Sequence, residues 1–140
     1  MRIIIDSNVL FSALIKDSFT RKLIFEYDNS FLFPFYIFEE MQKHYDELLE
    51  KSGMSTADFN KLLKILLKKV KIVPTEVLLP YKEEALEIVK DIDISDVLFV
   101  ACALAYARSV IWSDDKKLKN QTKVQVINTK EFIDFVMDKG

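Results

Sequence analysis

The chain opens on Ile3-Ile4-Ile5, three β-branched residues in a row that stop at Asp6. Successive side chains on a strand point to opposite faces, so a strand with no polar position has no face to give to water. It belongs in a sheet covered on both sides, and such sheets are parallel. A second segment tightens the constraint. Val97 to Ala107 is eleven residues long and apolar on every side. A helix without a polar face is a central, buried one. Alanines at 101, 103, 105 and 107 let its neighbours come close.

The rest of the chain reads as strands alternating with helices. Phe31-Leu32-Phe33, Lys71-Ile72-Val73, Val110-Ile111-Trp112 and Val124-Gln125-Val126-Ile127 are the further strands. Helices are predicted over Val9–Ile15, Thr20–Tyr27, Phe35–Lys51 (stopped by Gly53), Ser55–Lys69, Tyr81–Lys90, Asp93–Arg108 and Thr129–Asp138. Alternation of this kind makes an α/β protein. The predicted fold is a three-layer α/β/α sandwich around a small, mostly parallel sheet of four to five strands, with residues 1–140 as a single domain.

Scarcity excludes several chemistries. The 140 residues hold two glycines, one histidine and one cysteine. Gly53 and Gly140 cannot make a glycine-rich phosphate loop. Cys102 and His44 cannot make a zinc site or a disulfide framework. Carboxylates are plentiful: 22 Asp and Glu stand against 20 Lys and Arg. A net charge of −2 argues against bulk electrostatic binding to nucleic acid, but leaves room for a local basic patch. The opening residues are too short an apolar run for a signal peptide, and no run is long enough to span a bilayer. The lone cysteine fits a reducing compartment. A soluble, cytoplasmic protein is expected.

In open parallel sheets, ligands bind at the carboxyl ends of the strands. Asp6 follows the first strand there, where it would serve equally as the cap of the next helix. Asp114 and Asp115 follow the strand ending at Trp112, where a plain polar turn is the alternative. Asp96 lies at the start of the buried helix, near the positive end of its dipole, with Asp93 three residues before it in a capping position. On the helix after the second strand, Glu40 falls about 60° from the apolar Ile37 and Glu39 about 160° away. Glu40 therefore borders the packed face on the side of His44, and Glu39 points towards solvent.

Taken in order, these segments resemble the PIN-domain ribonucleases. The opening strand with Asp6-x-Asn8 is similar to that family's first motif. Pro34-x-Tyr36-Ile37-x-x-Glu40-x-x-x-His44 resembles its second, Asp93-x-x-Asp96-x-x-Phe99-x-Ala101-x-Ala103 its third, and Trp112-Ser113-x-Asp115-Lys116-x-Leu118 its fourth. Val126-Ile127-Asn128-Thr129-x-Glu131-Phe132 shares the family's look, so the resemblance runs from about Ile3 to Phe135. Ser113 stands where Thr is commoner, and Asp114 is an extra acid.

The resemblance implies that Asp6, Glu40, Asp96 and Asp115 gather in one cleft as catalytic and metal-binding residues. Asp93, Asp114 and Glu39 are the neighbouring alternatives. Asn8 and Ser113 would orient the carboxylates. Crowded carboxylates raise one another's pKa, and Mg²⁺ or Mn²⁺ suits an all-oxygen ligand set. The implied activity is metal-dependent hydrolysis of RNA, single-stranded or structured, by an endoribonuclease. Many small members of the family look like toxins of toxin–antitoxin pairs, which would add an antitoxin protein as partner.

Lys116, Lys117 and Lys119, with Lys123 beyond them, are placed to meet RNA near Asp115. A second stripe, Lys61, Lys64, Lys68 and Lys71, is equally the solvated side of an amphipathic helix. A homodimer is expected, with Leu62, Leu63, Leu66 and Leu67 as its contact or as ordinary core. Two other classes compete: a binding module of the same fold that does not cleave, and a phosphoacceptor receiver domain. The latter requires an acid after a central third strand.

Overall fold

A computed structural model describes residues 1–15, 19–27 and 30–139 of the chain. Strand β1 (Arg2–Ile5) leads into helix α1 (Ser7–Ser12) and α2 (Phe19–Glu26). Next come β2 (Ser30–Pro34), α3 (Ile37–Ser52), α4 (Thr56–Lys68) and β3 (Val70–Val73). Short helix α5 (Thr75–Leu78) and a 3-10 turn (Leu79–Tyr81) precede α6 (Lys82–Val89). A second 3-10 turn (Ile94–Asp96) opens α7 (Val97–Ala105). Strand β4 (Ser109–Trp112), a third 3-10 turn (Lys116–Asn120), β5 (Val126–Ile127) and α8 (Thr129–Lys139) complete the order.

The five strands pair in parallel in the order β3-β2-β1-β4-β5. Ile3, Ile4 and Ile5 are all fully buried. Since neighbours on a strand face opposite ways, both faces of the sheet are covered, and the three-layer α/β/α arrangement follows. One hydrophobic cluster runs through all the layers. Helix α7 lies along β1, β2 and β4, with Phe99, Val100, Ala101 and Cys102 buried, as its uniform apolarity requires. Phe132 of α8 stacks on Trp112 with ring centroids 4.2 Å apart.

Helix ends follow their local chemistry. The Ser55 hydroxyl accepts from Asp58 N–H at 3.2 Å and caps α4. Gly53 closes α3 at φ 68°, a left-handed conformation that a Cβ disfavours. At α8, Asn128 Oδ1 accepts from Glu131 N–H (2.8 Å) while Glu131 Oε1 accepts from Asn128 N–H (3.0 Å), a reciprocal capping box.

Three segments depart from the sequence-based expectation. Helix α7 is shorter than Asp93–Arg108: it gives way to extended backbone at Tyr106, and Arg108 takes φ 54° to turn into β4. Strand β5 keeps only two residues. The Gln121 side chain captures the N–H groups of Lys123 and Val124 and donates to the carbonyls of Leu118 and Val124, diverting backbone groups from the ladder. Lys71 belongs to β3, not to the helical lysine stripe.

The sheet order also disposes of the receiver reading. Receiver sheets run 2-1-3-4-5, whereas here β3 is an edge strand ending at Val73 and Pro74, with no acid. Leu66 is buried, and Leu62, Leu63 and Leu67 pack, partly buried, on the chain's own core.

Candidate active site

The strand order places a topological switch at β1 and β4. The chain leaves β1 towards β2 and β3, then returns to add β4 on the other side. At such a point the connections diverge from the carboxyl ends of the two strands and leave a crevice. Asp6 N–H bonds to Trp112 O at 3.1 Å, and Ser113 N–H to Ile127 O at 2.9 Å. These bonds carry the pairing of β1, β4 and β5 up to the rim of that crevice.

Five carboxylates from four separated segments line one cleft of about 150 Å³ there: Asp6, Glu40, Asp93, Asp96 and Asp115. Asn8, Tyr36, Ser95 and Phe99 line it as well. Asp93, Asp96 and Asp115 each place one carboxylate oxygen within 4.8 Å of the others. Asp6 and Glu40 border the same cleft outside that trio.

Asp6 occupies the N-cap position of α1 in extended conformation, but its side chain makes no capping bond. It accepts instead from the Ser113 hydroxyl, 2.6 Å from Oδ2. Asp6 is 5% exposed. Burial pushes its pKa up, the Ser113 bond and the nearby backbone N–H groups of Asn8 and Ser7 oppose this, and the Asp115 charge adds to the rise.

Asp96 is 6% exposed, and its Oδ2 is buried without a hydrogen-bond partner among the described residues. Burial, then the charges of Asp6, Asp93 and Asp115, raise its pKa to about 7. Asp93 is the opposite case. It accepts from Ser95 N–H (3.0 Å) and Ser95 Oγ (2.6 Å), and these bonds hold its carboxyl below the usual range. Asp93 therefore caps the turn, and Asp96 is left free to face the cleft.

The two adjacent pairs separate by geometry. Asp114 accepts from Thr129 N–H and Oγ1, both at 2.7 Å, and so fastens the start of α8. Asp115 lines the cleft, and its Oδ1 also accepts from Lys117 N–H at 3.0 Å. Glu39 is exposed and outside the cleft, and Glu40 lines it. Glu40 is held on both sides: Tyr36 OH donates to Oε1, and His44 Nε2 lies 3.6 Å from Oε2.

Of the two orienting residues expected, Ser113 bonds Asp6 and also accepts from Asp115 N–H at 3.1 Å. Asn8 lines the cleft without a side-chain hydrogen bond among the described residues. Lys116 and Lys117 stand exposed beside Asp115, while Lys119 is paired with Glu131 at the start of α8. Sequence reasoning assigns no role to Tyr36 or Ser95. The signal for Tyr36 is its place one helical turn before Glu40, and for Ser95 its place two residues after Asp93.

A buried carboxylate oxygen without a partner, amid further carboxylates, is costly unless a proton or a cation satisfies it. The donor set is all oxygen, as hard divalent ions prefer. The residues present therefore fit Mg²⁺ or Mn²⁺.

Fold and cleft define an α/β protein with an acidic crevice at the switch point of a five-stranded parallel sheet. A family model of the PIN domain matches residues 4–133, and the chain belongs to that family, whose members are in general nucleases. Among solved structures, VapBC2 from Rickettsia felis bound to a DNA fragment from their promoter shares the fold. Its TM-score is 0.67 at 17% identity, over 91% of this chain and 98% of that one. None of the curated proteins compared with the chain matches it. Among the described residues, no helix is long and apolar enough to cross a membrane.

Proposed function

We propose that the chain is a metal-dependent endoribonuclease that hydrolyses phosphodiester bonds of RNA in this cleft. The observation that carries the proposal is Asp96, which lines a cleft together with four more carboxylates and whose Oδ2 is buried without a hydrogen-bond partner among the described residues. Asp93, Asp96 and Asp115 would hold the ion, with Asp6 and Glu40 beside them. When bound, Mg²⁺ or Mn²⁺ supplies Lewis-acid charge for the phosphodiester and lowers the pKa of a water.

The protein's own contribution is preorganisation. The Ser113 hydroxyl fixes both neighbours: it donates to the Asp6 carboxylate and accepts from the Asp115 backbone N–H. Tyr36 and His44 hold Glu40 from opposite sides. Phe99 supplies an apolar wall beside Asp96. Lys116 and Lys117 offer positive charge at the rim for phosphate. No protein nucleophile or histidine base is required, which suits a chain with one histidine.

We extend the reading to a cytoplasmic toxin with an antitoxin partner. Small single-domain members of the family resemble such toxins, and VapBC2, which shares the fold, was solved on DNA from its own promoter.

The test is to replace Asp6 or Asp96 with Asn and follow Mn²⁺-dependent cleavage of single-stranded RNA, with Mn²⁺ binding measured by calorimetry. Both variants should lose cleavage and bind Mn²⁺ more weakly. Unchanged cleavage in both sinks the assignment of the site. A wild-type protein that binds Mn²⁺ but cuts no RNA favours the non-cleaving module.

A further inference from the structure

The far end of the sheet carries a second concavity, with the opposite charge. Arg2 begins β1, Ser30 begins β2, and Lys68 and Lys69 lead from α4 into β3, where Lys71 follows. These five line a pocket of about 370 Å³ that has no acidic wall among the described residues. The register puts them together: Arg2 pairs with Ser30, and Leu32 with Lys71. None of the four cations makes an ion pair among the described residues, whereas Lys51, Lys90 and Lys119 each pair with a glutamate. Arg2 is held in place from behind. Its guanidinium donates to Ala107 O at 3.2 Å and lies 5.4 Å from the Tyr106 ring centre.

Four cations ring one pocket with no carboxylate in its described lining. Lys68 and Lys69 also offset the negative end of α4, but that end carries only about half an elementary charge. Among the described residues nothing compensates the remaining excess, in a chain whose net charge is −2. The ligand that complements it is anionic and multivalent. Phe31, the aromatic in the wall, is buried, so no ring is offered for a base to stack on. The pocket therefore recognises charge and not sequence. Four residues of strand, about 13 Å at 3.3 Å each, separate this end of the sheet from the acidic cleft. The cleft repels a polyanion until cations fill it, so a further basic surface, beyond Lys116 and Lys117 at its rim, adds affinity for a nucleic-acid backbone.

We propose that Arg2, Lys68, Lys69 and Lys71 form a sequence-independent phosphate-backbone site at the amino end of the sheet, which grips the RNA away from the point of cleavage. The proposal rests on the ribonuclease reading for the identity of the nucleic acid, and its test is made on binding alone. In the Asp96→Asn background without divalent cations, a fluorescein-labelled single-stranded 20-mer RNA is titrated by anisotropy. The triple variant Lys68→Ala/Lys69→Ala/Lys71→Ala is compared with an equal charge loss elsewhere, Lys61→Ala/Lys64→Ala/Lys82→Ala.

The first triple should weaken binding about tenfold or more. It should also flatten the plot of log K against log salt by about 2, at about 0.7 for each phosphate that is no longer neutralised. The second should stay within about twofold of the parent. The single variant Lys71→Glu should likewise weaken binding more than Lys64→Glu, should the triple fold poorly. Equal losses from both triples, or none from either, overturn the proposal. So does a polyglutamate 20-mer that displaces the RNA as well as unlabelled RNA does, since the pocket would then take an acidic peptide. A chain that binds RNA through these residues yet cuts none leaves this site standing and removes only the nuclease reading.

Discussion

Asp96 is the residue on which the site turns, because its environment opposes its charge. Its pKa lies near 7 in the folded protein and near 3.8 in an ordinary setting, so the native state holds the proton more tightly than the unfolded state. The contribution of Asp96 to the stability of the cation-free protein therefore falls as pH rises from about 4 to about 7, and is flat above. Asp96→Asn cannot titrate. In urea melts with a chelator present, it should match the wild type at acid pH and exceed it by about 2 kcal/mol at pH 8. That figure is well below the full ~1.4 kcal/mol per pKa unit, to allow for screening by water in the cleft. A gap that does not open with pH contradicts the buried, uncompensated charge.

Ser113 makes a second test at this scale. Ser113→Ala removes the hydroxyl that holds Asp6 and should cost about 10- to 100-fold in Mn²⁺ affinity. Ser113→Thr, which keeps the hydroxyl, should retain it.

At the scale of elements, the adjacent aspartates 114 and 115 do different jobs in one turn. Asp114 bonds the first residue of α8 through both its oxygens, and Asp115 faces the cleft. Asp114→Ala should lower stability by about 1 kcal/mol, as the loss of a helix cap does, and leave cleavage within a few-fold. Asp115→Ala should abolish cleavage with little loss of stability. Parallel denaturation and RNA assays on the two variants separate the roles, and the reverse pattern would exchange them. Gly53 is structural in the same sense. Its left-handed conformation closes α3, and Gly53→Ala should cost about 1 kcal/mol without touching the cleft.

For the whole molecule, the prediction is a linkage between cation and fold. An ion that binds the native cleft and not the unfolded chain stabilises the protein by about 2.7 kcal/mol at a concentration one hundred times its Kd. Mn²⁺ should therefore raise the melting temperature of the wild type, and raise that of Asp96→Asn far less. Equal rises in both would place the ion somewhere other than this cleft. Cys102 is buried with its thiol pushed up to about 12, so reducing conditions should leave the response unchanged.

Much of this was legible in the order of residues. An isoleucine run with no polar face demands a covered parallel strand, and an all-round apolar helix demands the centre. Pattern alone sufficed there, because burial is imposed by side chains a few residues apart. The stop at Gly53 is equally local. The choice of Asp115 over Asp114 and the bond from Ser113 to Asp6, 107 positions apart, are different in kind. So is the gathering of Arg2 with Lys71 into one basic pocket. Each depends on which strands lie side by side and on where their ends point. That is a property of the sheet order β3-β2-β1-β4-β5, which no short stretch of sequence contains. From the order of residues come the class of fold, the supply of carboxylates and, by resemblance, four of those in the cleft. The place of Asp93 among them, and the bonds that fasten each one, come from the folded chain, because the repulsion among them exists only once the strands have met.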